Sequence, residues 1–349
     1  TVPDQVVRKN FSKRYKLCDK KPYNKKNDWK FFENFIKKYM KCKTKLEWLT
    51  KSSTMYNSFM NKSNEFLRGG RLYEIQIINC LITHYNITIN SYYVKKSNLI
   101  YYFFKNHNKK IKGDICFIDP YVLGLGKFNT NKINISIVHH IDEEILLKNV
   151  ARKLFYKNLI RNLKKMDLVI VVSKFWENFL LEKGIRKIKV IYNSFNLNTY
   201  RFKKQQIIKF KKKYKLESQK PNIYVGPYSK GKGIKDVIKI IDKEKYNIIT
   251  TSKKSNINDI SSFFFNDDEY PLFLASCDLV ICMSSMPEGW NRIAHESILA
   301  NTPVIGSGSG GMEELLTNSN QFILNDKKLL NKSIEFVLKN KEKIAKSGY

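Results

Sequence analysis

Short apolar runs of strand length alternate with stretches of helical periodicity along most of this chain, and that rhythm restricts it to the α/β class. In the first half the expected strands are Lys45–Thr50, Ile87–Val94, Asp114–Ile118, Ile133–Val138, Asp167–Ser173 and Lys189–Tyr192. Helical spacing runs from Arg71 through Leu72, Ile75, Ile78, Leu81 and Ile82. It returns over Glu143–Lys165 and over Phe175–Glu182, which stops at Gly184. A turn-rich stretch from Asn193 to Arg201, a charged helix over Lys203–Lys215 and then Pro221 interrupt the rhythm, so a domain boundary belongs there. The second half repeats the pattern, with strands over Asn222–Gly226, Tyr246–Thr250, Asp278–Met283 and Pro303–Gly306. Its helices cover Ile234–Ile241, Glu269–Ser276 and Asn291–Ala300, and a further one starts near Met312. At 349 residues the chain is long for one α/β core and comfortable for two. We therefore expect a Lys/Asn-rich extension over residues 1–44 with a helix at Trp29–Met40, a Rossmann-like domain over 45–200 and a second over 201–349. Parallel sheets of this kind bind ligands outside the carboxyl ends of their strands, which places a cleft between the two.

Charge narrows the partners. The chain carries 64 Lys plus Arg against 31 Asp plus Glu, a formal net of +33. Such a field attracts nucleic acid, an anionic membrane surface or a small phosphorylated substrate. The lysines are spread along the chain, which a compositional bias explains equally well, and the densest block, Lys209 to Lys215, reads as a solvated helix face. No RNP-like aromatic and basic signature, zinc finger or basic zipper accompanies them, so nucleic acid is not the expected partner. No apolar stretch reaches the roughly 18 to 20 residues of a membrane span, so any membrane contact is expected to be peripheral. The six cysteines form no CxxC pair and have no His cluster beside them, which argues against a zinc site or a disulfide framework. Cys80, Cys116, Cys277 and Cys282 fall in apolar segments and read as core residues of a protein in a reducing, cytoplasmic compartment.

The segment from Asp278 to Leu316 carries the most chemistry. A buried strand ends at Ser284-Ser285, a Pro287-Glu288-Gly289 turn follows, and a helix begins. A turn into a helix start delivers backbone N–H groups suited to a phosphate. Glu296 lies eight residues after Glu288, about 12 Å along the axis if the stretch is helical throughout. At that spacing the two carboxylates cannot share a proton or a metal, but each can accept hydrogen bonds from hydroxyls, as sugar and ribose recognition requires. A second segment, Val225-Gly226-Pro227-Tyr228-Ser229-Lys230-Gly231-Lys232-Gly233, joins a strand to a helix and sets Lys232 where it can meet a diphosphate. In the first half, Gly69-Gly70 precedes a helix, and Val138-His139-His140 ends a strand.

In order and spacing these features resemble the retaining GT-B glycosyltransferases of family four. The match rests on Glu288-Gly289-Trp290, Glu296, Pro303-Val304-Ile305 and Gly310-Gly311-Met312-Glu313-Glu314, and on Lys232 in the glycine loop. It spans roughly residues 67 to 340. The resemblance implies transfer from a nucleoside-diphosphate sugar to a glycan or lipid-linked hydroxyl. It sets Glu288 against the donor sugar, Glu296 on the ribose and Lys232 on the diphosphate, with His139 or His140 near the sugar or acceptor and His139 favoured. Gly69, Gly70, Gly289, Trp290, Asn291 and Arg292 would line the site. Two departures stand out. Pro227 occupies the place of a diphosphate-binding arginine, for which Lys230, Arg292 and Lys174 are candidate substitutes, and Asn291-Arg292 stands where small residues are usual. No Asp-x-Asp signature is present, since Asp267-Asp268-Glu269 reads as a helix cap, so neither metal nor cofactor is expected. A phosphorylase or epimerase of the same fold and a basic nucleic-acid-binding protein are the alternatives. A nicotinamide dehydrogenase is weaker, because Gly124-Leu125-Gly126 lacks the third glycine.

Overall fold

The computed structural model describes residues 45–50, 69–82, 86–91, 113–126, 133–229, 231–252, 256–257 and 260–347. The expected helix at Trp29–Met40 and the candidate Lys230 lie outside them. The chain divides into two compact units between Ser194 and Phe195.

The first unit holds six parallel strands: β1 (Lys45–Thr50), β2 (Asn86–Ser91), β3 (Ile115–Ile118), β4 (Ile133–Val138), β5 (Leu168–Val171) and β6 (Ile188–Val190), ordered β2-β1-β3-β4-β5-β6. β3 and β5 are apolar at every position and buried at every position, as strands covered on both faces must be. Against one face pack Val122, Leu123, Phe155, Leu159 and Trp176, sharing a core with Val169 and Val171. The helix expected over Glu143–Lys165 is two helices, Glu143–Leu146 and Val150–Leu163. Asn149 causes the break: it is extended, and its side-chain oxygen accepts from the Arg152 N–H at 2.9 Å, starting a new helix.

The second unit adds β7 (Asn222–Pro227), β8 (Asn247–Thr251), β9 (Asn256–Ile257), β10 (Ile260–Phe263), β11 (Leu279–Cys282), β12 (Val304–Gly306) and β13 (Phe322–Ile323), ordered β13-β12-β11-β7-β8-β10-β9. Six are parallel, while β9 runs antiparallel to β10. Ile223, Val225, Ile248, Leu279, Ile281 and Ile305 of this sheet form one core with Ile334 and Val337. The last two belong to the helix Leu330–Lys339. Cys116, Cys277 and Cys282 are buried, and burial pushes the Cys282 thiol up to about 12, which keeps it an inert core residue.

In both sheets the order reverses around a central strand, β1 between β2 and β3, and β7 between β8 and β11. Loops leaving the carboxyl ends at such a reversal splay apart and leave a crevice. Gly69-Gly70 lie at the first switch point, and the loop after β7 lies at the second.

Candidate active site

Three loops at the carboxyl ends of the adjacent strands β7, β11 and β12 build the site in the second unit, and main-chain atoms hold them together. The Gly231 carbonyl accepts from the Ser285 N–H at 3.3 Å and the Ser285 hydroxyl at 3.1 Å, joining the β7 loop to the β11 loop. Gly233, at φ +67°, lies so close to the Met283 carbonyl that a β-carbon would collide with it. Glu288 forms a parallel bridge with Gly310: its N–H donates to the Ser309 carbonyl at 3.1 Å, and its carbonyl accepts from the Gly311 N–H at 2.8 Å. The Ser307 hydroxyl donates to the Ser284 carbonyl at 3.0 Å.

That bridge alters the expected geometry. The helix starts at Arg292 with Asn291 as its cap, as expected, and the Glu288 backbone before it bonds to the β12 loop instead of being helical. The helical estimate of the Glu288–Glu296 spacing therefore does not apply. Asn291 caps the helix, its side-chain oxygen accepting from the Ala294 N–H at 2.9 Å. One orphan donor of the first turn is thereby already used.

The side chains pair within this frame. Lys232 Nζ lies 2.5 Å from Glu288 Oε1, so the two come together from loops 56 residues apart. Their side chains are 35% and 11% exposed, a half-open cation over a covered carboxylate. At the first position of the helix, Arg292 Nη2 sits 3.2 Å from Oε1 of Glu296 one turn on, with its guanidinium 4.4 Å above the Phe195 ring. Burial and the nearby Glu296 charge hold the Tyr200 hydroxyl well above its ordinary pKa. Gly289 and Trp290 are buried. Trp290 turns inward, its indole N–H donating to His295 Nδ1 at 3.0 Å.

His295 escaped the sequence reading, because a lone His inside a helical pattern carries no distinguishing signal. It is buried beneath the helix, with its ring 4.3 Å from that of Phe195. Accepting at Nδ1 fixes the neutral tautomer that carries its proton on Nε2. Burial first, and the Arg292 charge second, depress its pKa to about 3. The unfolded chain binds this proton near pH 6.5, so the contribution of neutral His295 is complete above 6.5 and disappears as pH falls toward 3. Acid unfolding should therefore weaken the protein by on the order of 3–5 kcal/mol across that window, and His295→Gln should flatten this part of the curve. Denaturant titrations at pH 7, 5 and 4 measure it, and an unchanged slope in the variant would remove the assignment.

In the first unit, Gly69 has φ +63° and its carbonyl accepts from Leu72 N–H at 3.2 Å as the helix Gly70–Ile82 begins. A β-carbon on Gly70 would lie 2.7 Å from the His139 ring, so the glycine opens the space that this histidine occupies. His139 Nε2 is 3.3 Å from Glu74 Oε1, and the ring stands edge-on to Tyr73 at 5.4 Å. Glu74 was also missed, since a Glu on an amphipathic helix reads as surface. His140 points outward and is exposed. Lys174 pairs with Glu177 at 2.6 Å on an exposed helix start. Among the described residues no group of three or more His, Cys, Asp or Glu side chains could hold a metal ion.

Comparisons with known proteins agree with this frame. Residues 205–349 match the model of the family described as glycosyl transferases group 1. An uncharacterised glycosyltransferase of Methanocaldococcus jannaschii is 26% identical over 64% of this chain and 64% of its own length. An uncharacterised 41.2 kDa protein of the cps region of Klebsiella pneumoniae is 27% identical over 60% of this chain and 62% of its own length. The matches thus span less than two thirds of either relative. Among solved structures, Anabaena HepE in complex with UDP aligns with a TM-score of 0.61 at 18% identity over 87% of this chain and 92% of that one. Sucrose-phosphate synthase of Thermosynechococcus elongatus aligns with a TM-score of 0.67 at 14% identity, over 88% and 93%. The chain has the GT-B fold, and its second unit, over residues 205–349, carries the match to the glycosyl transferases group 1.

Proposed function

We propose that this protein is a retaining hexosyltransferase of polysaccharide biosynthesis, moving a sugar from a nucleoside-diphosphate sugar to a hydroxyl of a glycan or lipid-linked acceptor. The observation that carries the reading is the Lys232–Glu288 pair, 2.5 Å apart where three strand-end loops are tied together within the family match. Transfer breaks the bond from the anomeric carbon to the diphosphate oxygen and forms one to the acceptor oxygen, whose proton leaves with the diphosphate. Negative charge grows on the departing group, so a pre-positioned cation lowers the barrier. Lys232 is assigned to that charge, together with the amino end of the helix Arg292–Leu299. Glu288, released from Lys232 by the incoming phosphate, would accept from sugar hydroxyls, and Glu296 from the ribose. Arg292 is the described cation best suited to replace the arginine missing at Pro227. His139, oriented by Glu74, is assigned to the sugar or acceptor end. Lys232 takes the part that a divalent ion plays elsewhere, so transfer is proposed to need no metal.

HepE was solved with UDP and with UDP-glucose, which makes uridine sugars the first donors to screen. A panel of UDP- and GDP-sugars read by released nucleotide tests the reaction. Calorimetry tests the site: Glu296→Ala should weaken UDP or GDP binding roughly 10- to 100-fold, the range of one charged hydrogen bond. Equal affinity in the variant would remove Glu296 from the ribose. Tight binding to duplex DNA without nucleotide binding would instead favour the nucleic-acid reading. No helix among the described residues is long and apolar enough to cross a membrane. We propose a cytoplasmic enzyme whose positive surface contacts an anionic membrane peripherally, where a lipid-linked acceptor would be found.

A further inference from the structure

We propose that the segment Ile145–Leu154 of the first unit docks into the headgroup layer of an anionic bilayer. This rests on the peripheral-membrane reading above and is independent of the nucleotide site. Nine large hydrophobic residues are exposed among the described residues, and four of them, Ile145, Leu147, Val150 and Leu154, fall within these ten positions. The other five are scattered along the sequence, as exposed apolar residues on soluble proteins commonly are. Val150 and Leu154 stand out at 73% and 63% exposure.

The helix Val150–Leu163 explains the arrangement. It buries Phe155, Leu159, Asn162 and Leu163, so the opposite face looks outward. Val150, Leu154 and Arg161 recur along that face at helical spacing, with Lys153 and Lys157 beside them. Lys148 is exposed in the preceding turn. The acids just before the segment offset only part of this charge. Asp142 caps the short helix through the Ile145 N–H at 3.1 Å, and Glu143 is held by Lys183 at 2.8 Å and by the Tyr156 hydroxyl at 2.7 Å. Only Glu144 adds an exposed carboxylate there.

The surface is also held in shape. Arg152 Nη1 donates to the Ile145 carbonyl at 3.4 Å, tying the first turn of the longer helix to the shorter one. Aliphatic tips in a collar of Lys and Arg match the headgroup layer, where the aliphatics reach the acyl boundary and the cations meet lipid phosphates. The chain-wide net charge of +33 adds long-range attraction to the same surface. Ile145 follows His139 by six residues in sequence, so docking here would bring a lipid-borne hydroxyl toward the end of β4.

Co-sedimentation of the full chain with phosphatidylcholine vesicles, with and without phosphatidylglycerol, tests the surface at low salt. Wild type should bind the anionic vesicles and not the zwitterionic ones. The V150E/L154E variant should bind at least about 10-fold more weakly while keeping the wild-type circular dichroism and unfolding midpoint, which report an intact fold. Should that variant fail to fold, Leu154→Trp replaces it. Its added fluorescence should shift to the blue and be quenched by brominated lipid, and an unshifted, unquenched signal overturns the proposal. Equal vesicle binding by wild type and V150E/L154E overturns this surface and leaves the peripheral reading standing. Wild type that binds neither vesicle overturns both, while nucleotide release still decides the transferase reading separately.

Discussion

Glu288→Gln is expected to lower sugar transfer by roughly 10²- to 10³-fold, the usual effect of removing one well-placed polar contact from a transition state. The substitution keeps size and shape. The Glu288 N–H and carbonyl are held by Ser309 and Gly311, so the loop should stay in place. What changes is the charge facing Lys232 at 2.5 Å. An amide cannot neutralise that ammonium, so Lys232 becomes freer to meet a diphosphate. The variant should therefore bind UDP or GDP as tightly as wild type or more tightly, while turning over slowly. A merely structural carboxylate would lose affinity, stability and turnover together. Released nucleotide and calorimetry on the same preparation separate these outcomes, and turnover within about threefold of wild type would end the assignment.

A large stability effect is expected at Gly310. Its φ of +71° and ψ of −141° belong to a region that side chains avoid. A β-carbon there would run into the backbone nitrogen and oxygen of Glu288 and the carbonyl carbon of Pro287. None of these atoms has a flexible chain with which to yield. Gly310→Ala should cost about 3 kcal/mol or more and pull the Glu288 loop away from β12. Gly69→Ala is the matched control. That residue also has positive φ, +63°, but nothing lies within 4 Å of the added carbon, so about 1 kcal/mol is expected. Denaturant midpoints for both variants check the comparison. A Gly310→Ala protein as stable as Gly69→Ala would show that the bridge has slack.

Much of this fold could be read from periodicity. Fully apolar four-residue runs such as Leu168–Val171 and Leu279–Cys282 allow little other than buried parallel strands. What escaped was decided by local competition or by pieces too short to have a period. Asn149 split one helix by capping, a side-chain choice that apolar spacing does not register. β9 and β13 have two residues each and exist only through their neighbours. Around the site, Glu288, Glu296 and Lys232 were marked by their segments and Arg292 by the family resemblance, but their pairing was not. Pairing depends on which loops meet at the strand ends, and the Glu288–Gly310 bridge that fixes the loop before the helix is made of main-chain atoms. Glu74 and His295 acquire their roles only once Gly70 and Trp290 bring partners to them.

The seams that close the strand-end loops of the second unit are largely carbonyls, amides and glycine gaps: Gly231 to Ser285, Ser309 to Glu288, Glu288 to Gly311. Fastenings of that kind are indifferent to most substitutions at the positions between them. Drift at a position such as Met286 can thus retool what the crevice admits without unseating its walls. Architectures joined in this way can diversify their substrates while their outline persists, in keeping with a shared shape at 14% identity.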